Sequence, residues 1–189
     1  MNLIARLDAY IPADDREAQE KEMILSYVKQ HPDTVLQRGN LAAHFTSSAF
    51  IVNAAGDKML MVHHTQRGVW AWPGGHADGE SDLAFVARKE AEEETGIRNL
   101  KLLSEMPASL DVLHVHGHIK KGKWVNTHLH LTTAYIFLAD EQAPIWVKED
   151  ENTAVAWLPF SFINAEHFDE EDVYLYGKLA KRTKKLLTT

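Results

Sequence analysis

GGHADGESDLAFVARKEAEEETGI, residues 74–97, decides the reading of this chain. Its second half predicts a helix opened by Ser81 or Asp82 and closed by Gly96. A short polar side chain accepts one of the orphan N–H groups at the start, and glycine enters the left-handed conformation beyond the end without steric cost. At about 100° per residue, Leu83, Val86 and Ala87 share one stripe, and Glu90, Glu93 and Glu94 continue it. The face that should enter the core turns acidic in mid-helix, while Glu92 projects to the opposite side. The last turn of a helix carries partial negative charge, and like charges at i,i+3 and i,i+4 each cost roughly 0.2–0.5 kcal/mol. Arg88 and Lys89 offset part of this from outside the acidic face. A divalent cation would remove the conflict, and clustered carboxylate oxygens suit Mg²⁺, with Mn²⁺ as the alternative, over a soft metal. An acidic run alone is more often a solvated face. Its continuity with an apolar stripe is what argues otherwise.

On the N-terminal side, Asp14 or Asp15 caps an amphipathic helix carrying Met23, Ile24, Tyr27 and Val28, which ends near His31-Pro32. AHFTSSAFIVN (residues 43–53) reads as a strand and KMLMVHH (residues 58–64) as its hairpin partner, with Gly56 in the turn. WAWPGGHADGES is a long glycine-bearing loop. On the C-terminal side, strands are expected over residues 110–119 and 124–138, joined by a turn through Lys120, Lys121, Gly122 and Lys123. A short strand over 153–158 and a last helix over 170–187 complete the chain, with Lys178, Lys181, Arg182, Lys184 and Lys185 in the basic second half of that helix. Residues 1–40 are read as a helical extension packed on the core, and residues 41–189 as the main domain with its C-terminal helix.

Composition narrows the chemistry. Twenty Lys and Arg against 27 Asp and Glu leave a formal charge of −7, which argues against a nucleic-acid polymer or an anionic membrane as partner. An anionic substrate therefore needs a local cation. Without cysteine there is no disulfide, no thiolate zinc site and no thiol nucleophile. The apolar run Leu3, Ile4, Ala5 is too short for a signal peptide or a membrane span, so a cytoplasmic location is expected.

Residues 74–97 also resemble the signature of the Nudix hydrolases: Gly, five residues, Glu, seven residues, Arg-Glu, apolar, any, Glu-Glu, any, Gly, apolar. Aligned from its C-terminal end, Lys89 takes the Arg place, Glu90 the Glu after it, Glu93 and Glu94 the Glu pair, Gly96 the last Gly and Ile97 the apolar residue. The loop departs from the pattern. With Gly75 as the first Gly, Ser81 stands at the first Glu place and Glu80 one residue early, which makes Asp78 or Glu80 the candidate loop acid. Lys89 keeps the charge of Arg but loses its bidentate fork. The likeness extends through the lead-in Trp70 to Gly75, the strand HLHLTTAYIFLA and the segment AVAWLPFSF, roughly residues 40–165.

This resemblance implies an α/β fold, a Nudix-type α/β/α sandwich with a mixed sheet. It also implies Mg²⁺-dependent hydrolysis of a phosphate anhydride bond in a nucleoside diphosphate linked to another moiety. The metal ligands it implies are Glu90, Glu93, Glu94 and the Gly75 carbonyl, with Lys89 as partner to the acidic set. The water-activating base is Glu90, Glu93 or Glu151, with Glu149 and Asp150 as competitors of the last. Candidate substrate contacts are Arg67, Trp70, His128 and His130, the two histidines sharing one strand face. Trp72 and the basic loop of Lys120, Lys121, Lys123 and Trp124 are further candidates, for which packing and solvation are the commoner explanations. His114, His116 and His118 have a spacing that could bind zinc or copper but read as polar residues of an edge strand. The partner is a small phosphorylated, nucleotide-derived molecule, and a homodimer through the N-terminal helix is compatible with the pattern. The competing reading is a Nudix-like domain that binds a nucleotide derivative without hydrolysing it, for which Ser81 and Lys89 speak. Prenyl diphosphate isomerisation, performed by a branch with a cysteine-using site, is disfavoured.

Overall fold

A computed structural model describes residues 3–65, 67–120 and 122–188. A short helix, α1 (Leu3–Ala9), precedes α2 (Asp15–Gln30), and Asp14 rather than Asp15 is the cap, its side chain accepting the Glu17 N–H at 3.0 Å. The α1 helix was not anticipated from the sequence. Next come β1 (Ala43–Val52) and β2 (Lys58–His64), turned at Gly56, whose φ of +66° is of the kind glycine adopts freely. The long loop contains two short strands, β3 (Trp70–Ala71) and β4 (Gly74–His76), ahead of α3 (Leu83–Thr95). Then follow β5 (Lys101–Leu102), β6 (Ser109–Val115), β7 (His118–Lys120), β8 (Lys123–Val125), β9 (His128–Leu138), β10 (Asn152–Pro159), a 3₁₀ turn at Phe160–Phe162 and α4 (Glu170–Leu187).

The central path of the sheet runs β10-β2-β1-β9-β5. β1 lies parallel to β9 in unbroken register from Ala43 opposite Leu129 to Val52 opposite Leu138. Its other edge is shared: β4 pairs antiparallel with Thr46 to Ser48, and β2 with Ile51 and Val52. The sheet is therefore mixed. β1 is buried along its whole length because both faces are covered. Phe45, Ala49 and Ile51 pack with Ile24 and Val28 of α2 and with Leu83, Ala87 and Ala91 of α3. Phe50 and Val52 pack on the other face with Leu175, Tyr176 and Leu179 of α4. The result is an α/β/α sandwich, with each fully buried large apolar side chain contributing about 1.5–3 kcal/mol.

Two features differ from the sequence expectation or go beyond it. The two long strands expected over 110–138 are interrupted, and among the described residues β7 and β8 pair only with each other. Trp124 lies against Gly117, where a Cβ would crowd its ring, while the Trp124 indole donates to Asn126 at 2.7 Å and Gly117 N–H to Thr127 at 3.1 Å. These contacts lie where the two strands leave the main sheet's pairing; Lys121, in the turn, lies outside the described residues. The second feature joins the two ends of the chain. Glu17 of α2, with no exposed surface, accepts Lys178 Nζ at 2.8 Å and Arg182 at 3.0 Å from α4, the Tyr10 hydroxyl at 2.6 Å and the Leu110 N–H of β6 at 3.2 Å. Lys178 also reaches Asp111 at 2.7 Å. No helix among the described residues is long and apolar enough to cross a membrane.

Candidate active site

The α3 helix places its carboxylates at graded depth. Asp82 caps it by accepting the Phe85 N–H at 3.2 Å, and Leu83, Val86 and Ala87 are buried. Farther along the same stripe, Glu90 is half-buried, Glu93 is exposed and Glu94 is 5% exposed. Glu92 turns away, as its angle requires, and pairs with Arg98 at 2.9 Å. Gly96 sits at φ +71°, and a Cβ there would also overlap the Trp146 ring, so the closing glycine is doubly required.

Glu94 is tied on both oxygens. Gly74 N–H donates to Oε1 at 2.9 Å and Asn152 Nδ2 donates to Oε2 at 3.1 Å, which joins β4, α3 and β10 at one carboxylate. A Cβ on Gly75 would overlap the Glu90 carboxyl, so the bare backbone of β4 is what lets these two approach. The Asn152 side-chain Oδ1 is buried with no hydrogen-bond partner among the described residues.

Burial, reinforced by Glu90 and Glu151, pushes the Glu94 carboxyl up to about 7 against the pull of its two hydrogen bonds. Glu90 is likewise raised by burial, with Glu93 adding to the effect and Lys89 opposing it. Lys89 stands 3.5 Å from Glu90 and 3.7 Å from Glu93. The sequence places Lys89 off the acidic face, yet its flexible four-carbon stem curls back across two carboxylates. A buried acidic pocket of this kind favours either protons or a cation. Its donors are all oxygen: the Glu90, Glu93 and Glu94 carboxylates, the Gly75 carbonyl in the β4 ladder and the orphan Asn152 Oδ1. That set fits a hard divalent ion.

The loop before β10 completes the surroundings. Glu151 pairs with Lys148 at 3.1 Å, and its backbone carbonyl accepts the Thr65 N–H at 2.9 Å. Lys148 loses some charge stability to burial but is held above the ordinary lysine value by Glu151, Asp150 and Glu93. Asn152 and Lys148 are absent from the sequence-based set. Both lie in the KEDEN segment (residues 148–152), whose carboxylates drew attention away from an amide and an ammonium.

The remaining sequence candidates scatter. Arg67 is exposed, and its charge acts on Asp172 and Tyr176 of α4. Trp70 is half-buried with His63 edge-on at 5.3 Å, and Trp72 meets Tyr176 edge-on at 5.5 Å. Of the candidate loop acids, Asp78 is bound by Arg38, whose Nε donates at 2.6 Å, and Glu80 accepts the Asp82 N–H at 2.8 Å. His114 and His116 touch edge-on at 4.2 Å. His128 and His130 face each other, Nε2 to Nε2, at 3.2 Å.

Among comparisons with known proteins, one shows the family and another the fold. The model of the NUDIX domain matches residues 43–178. The fold resembles an Ap4A hydrolase of C. elegans in a binary complex, with a TM-score of 0.55 and 18% identity, over 75% of this chain and 98% of that one. It equally resembles RenU, a Nudix hydrolase from M. smegmatis, with a TM-score of 0.55 and 18% identity over 75% and 86% of the two chains. A comparison with curated protein sequences gives no match. With the signature helix, the mixed sheet and the family match in agreement, the chain belongs to the Nudix family of hydrolases.

Proposed function

We propose that this chain is a Mg²⁺-dependent hydrolase of a phosphate anhydride bond in a nucleoside diphosphate linked to another moiety, with Mn²⁺ as a substitute ion. The observation that carries this reading is the buried Glu94 carboxylate, suspended between Gly74 N–H and Asn152 beside the half-buried Glu90. Burial of two like charges on one helix end destabilises an apoprotein, and a divalent cation offsets that cost.

When bound, such an ion neutralises phosphoryl oxygens and lowers the pKa of an attacking water. Glu90, Glu93 and Glu94 would hold it, together with the Gly75 carbonyl. Lys89 balances Glu90 and Glu93 and limits their mutual repulsion. Glu151 is the base we favour, because a carboxylate committed to a cation is weakened as a proton acceptor. It stands close enough to raise the Glu94 pKa, and Lys148 orients it. The Lys148 charge is also felt by Glu90 and feels that of Glu93, so it would favour a departing phosphate there. Arg67 and Trp70 are candidate contacts for the rest of the substrate.

The test is a panel of nucleoside diphosphate derivatives assayed with Mg²⁺, with EDTA, and with Glu93→Gln and Glu94→Gln. Phosphate-anhydride cleavage that needs Mg²⁺ and falls at least 100-fold in both variants supports the reading. Binding of nucleotide by wild type and variants alike, with no turnover in any, would instead establish a non-hydrolysing binding domain.

A further inference from the structure

Four histidines widely separated in sequence converge on one face of the sheet. His44 of β1 stands opposite His130 of β9 in the parallel register, and His76 of β4 stands opposite Thr46, two residues along β1 from His44. His128 precedes His130 by two. Alternation puts residues two apart on the same face of a strand, so all four rings share one surface. Ring centroids lie 5.1 Å apart for His44 and His76, 4.9 Å for His76 and His130, and 5.0 Å for His44 and His128. Ring nitrogens of His44, His76 and His130 all fall within 4.8 Å of one another.

Hydrogen bonding shows which nitrogens are available as ligands. His44 Nδ1 lies 2.9 Å from the Asn40 carbonyl, and a carbonyl only accepts, so this nitrogen carries the proton. In the neutral ring Nε2 is then a bare lone pair. His44 is 4% exposed, and its Nε2 has no hydrogen-bond partner among the described residues. Burial also lowers its pKa, which keeps the ring neutral. His128 repeats the device: Nδ1 meets the Asn126 carbonyl at 2.8 Å, so its Nε2, 3.2 Å from that of His130, is likewise a lone pair. Carbonyl-anchored imidazoles whose Nε2 carries no proton are the usual preparation of a metal-binding histidine. At metal–nitrogen distances of about 2.0–2.1 Å, the ligands of a tetrahedral ion are about 3.3 Å apart. The His128 and His130 nitrogens stand near that spacing, at 3.2 Å, joined by a hydrogen bond in which His130 Nε2–H donates and which a bound ion would replace.

We propose that His44, His76 and His130, with His128 as fourth ligand, form a binding site for a borderline divalent transition metal of the zinc class. Its donors are imidazole nitrogens, so it discriminates against Mg²⁺ by ligand type. The site is chemically distinct from the carboxylate cluster on α3 and adjoins it through the chain, since His76 directly follows Gly75. A bound ion would tie β4, β1 and β9 together beside the backbone that lies against Glu90. It would therefore stabilise the fold and hold that backbone in place.

The test uses the untagged full chain with saturating Mg²⁺ on the carboxylates. Zn²⁺ binding is measured by equilibrium dialysis with metal analysis, Co²⁺ by visible absorption, and thermal unfolding with and without Zn²⁺. The expected result is one Zn²⁺ per chain, a tetrahedral cobalt spectrum and a Zn²⁺-dependent rise in Tm. His130→Gln and His76→Gln, at less buried positions than His44, should each weaken Zn²⁺ at least tenfold and reduce the Tm rise while circular dichroism stays native. Absence of stoichiometric Zn²⁺ would overturn the proposal. So would binding that survives both substitutions, or binding abolished by Glu93→Gln with Glu94→Gln or by His114→Ala with His116→Ala, which would place the ion elsewhere.

Discussion

Asn152 Nδ2 donates to Glu94 Oε2 at 3.1 Å, so the first residue of β10 fixes the deepest carboxylate of α3. Removing the amide leaves that oxygen without its donor and loosens a carboxylate still held at Oε1 by the Gly74 N–H. Asn152→Ala is expected to lower kcat/KM by about 10–100-fold and to raise the Mg²⁺ concentration needed for half-maximal rate, as losses of supporting hydrogen bonds do at metal sites. Its stability cost should be only about 1–3 kcal/mol. A Mg²⁺ titration of initial rates checks this, and an unchanged titration midpoint would remove Asn152 from the site.

Gly75→Ala tests how closely β4 must approach. The added methyl overlaps the Glu90 carboxyl, which can swing away more easily than backbone can. The variant should fold with a near-native Tm yet lose at least tenfold in activity. Gly74→Ala provides the contrast, because its methyl meets the Ser48 backbone and the Ser47 carbonyl and should lower Tm. Equal Tm losses in both would show that Gly75 matters only for packing.

Lys178 is a third point of test. It is the cation shared by Glu17 and Asp111, and its side chain is 4% exposed. Lys178→Met leaves Asp111 buried without its cation and is expected to cost about 3–5 kcal/mol in urea unfolding. A loss below about 1 kcal/mol would mean that water reaches the cluster.

The pH dependence of stability should carry the mark of Asp172. Burial, with Asp169 and Glu171 nearby and Arg67 opposing, raises its carboxyl to about 6 from 3.8. The folded state therefore holds this proton more tightly than the unfolded chain. Its contribution is fully present below about pH 4, is lost as pH rises toward 6, and stays lost above. Asp172→Asn should accordingly gain about 1–2 kcal/mol over wild type near pH 7.5 and nothing near pH 3.5. Chemical denaturation at the two pH values decides it; an equal gain at both would assign the effect to helix propensity.

What the sequence reveals and what it hides follow from the range of the interactions. The α3 stripe, its Gly96 terminus and the β1–β2 hairpin are written in residues a few positions apart, and helix periodicity alone separates Glu92 from its three neighbours. Asn152 reaches Glu94 across 58 positions, and a neutral amide leaves no pattern in the chain. The histidine cluster was half visible: His128 and His130 share a face by simple alternation, but only the parallel register of β9 on β1 brings His44 to them. The reach of Lys89 is hidden for a different reason. Angular position on a helix locates a Cβ, whereas a lysine ammonium lies four rotatable bonds beyond it.

The clamp on Glu17 bears on where this protein can be cut. Among the described residues β6 has β9 on one side and no strand on the other; there the Leu110 N–H is satisfied by Glu17, and the Ala108 carbonyl, just before the strand, by Tyr10 and Arg182. The family match runs from 43 to 178, so it contains the strand and omits Glu17, Tyr10 and Arg182. The matched stretch is thus smaller than the unit that covers this strand: a fragment trimmed to the matched residues would bare a strand edge ready to pair with another copy.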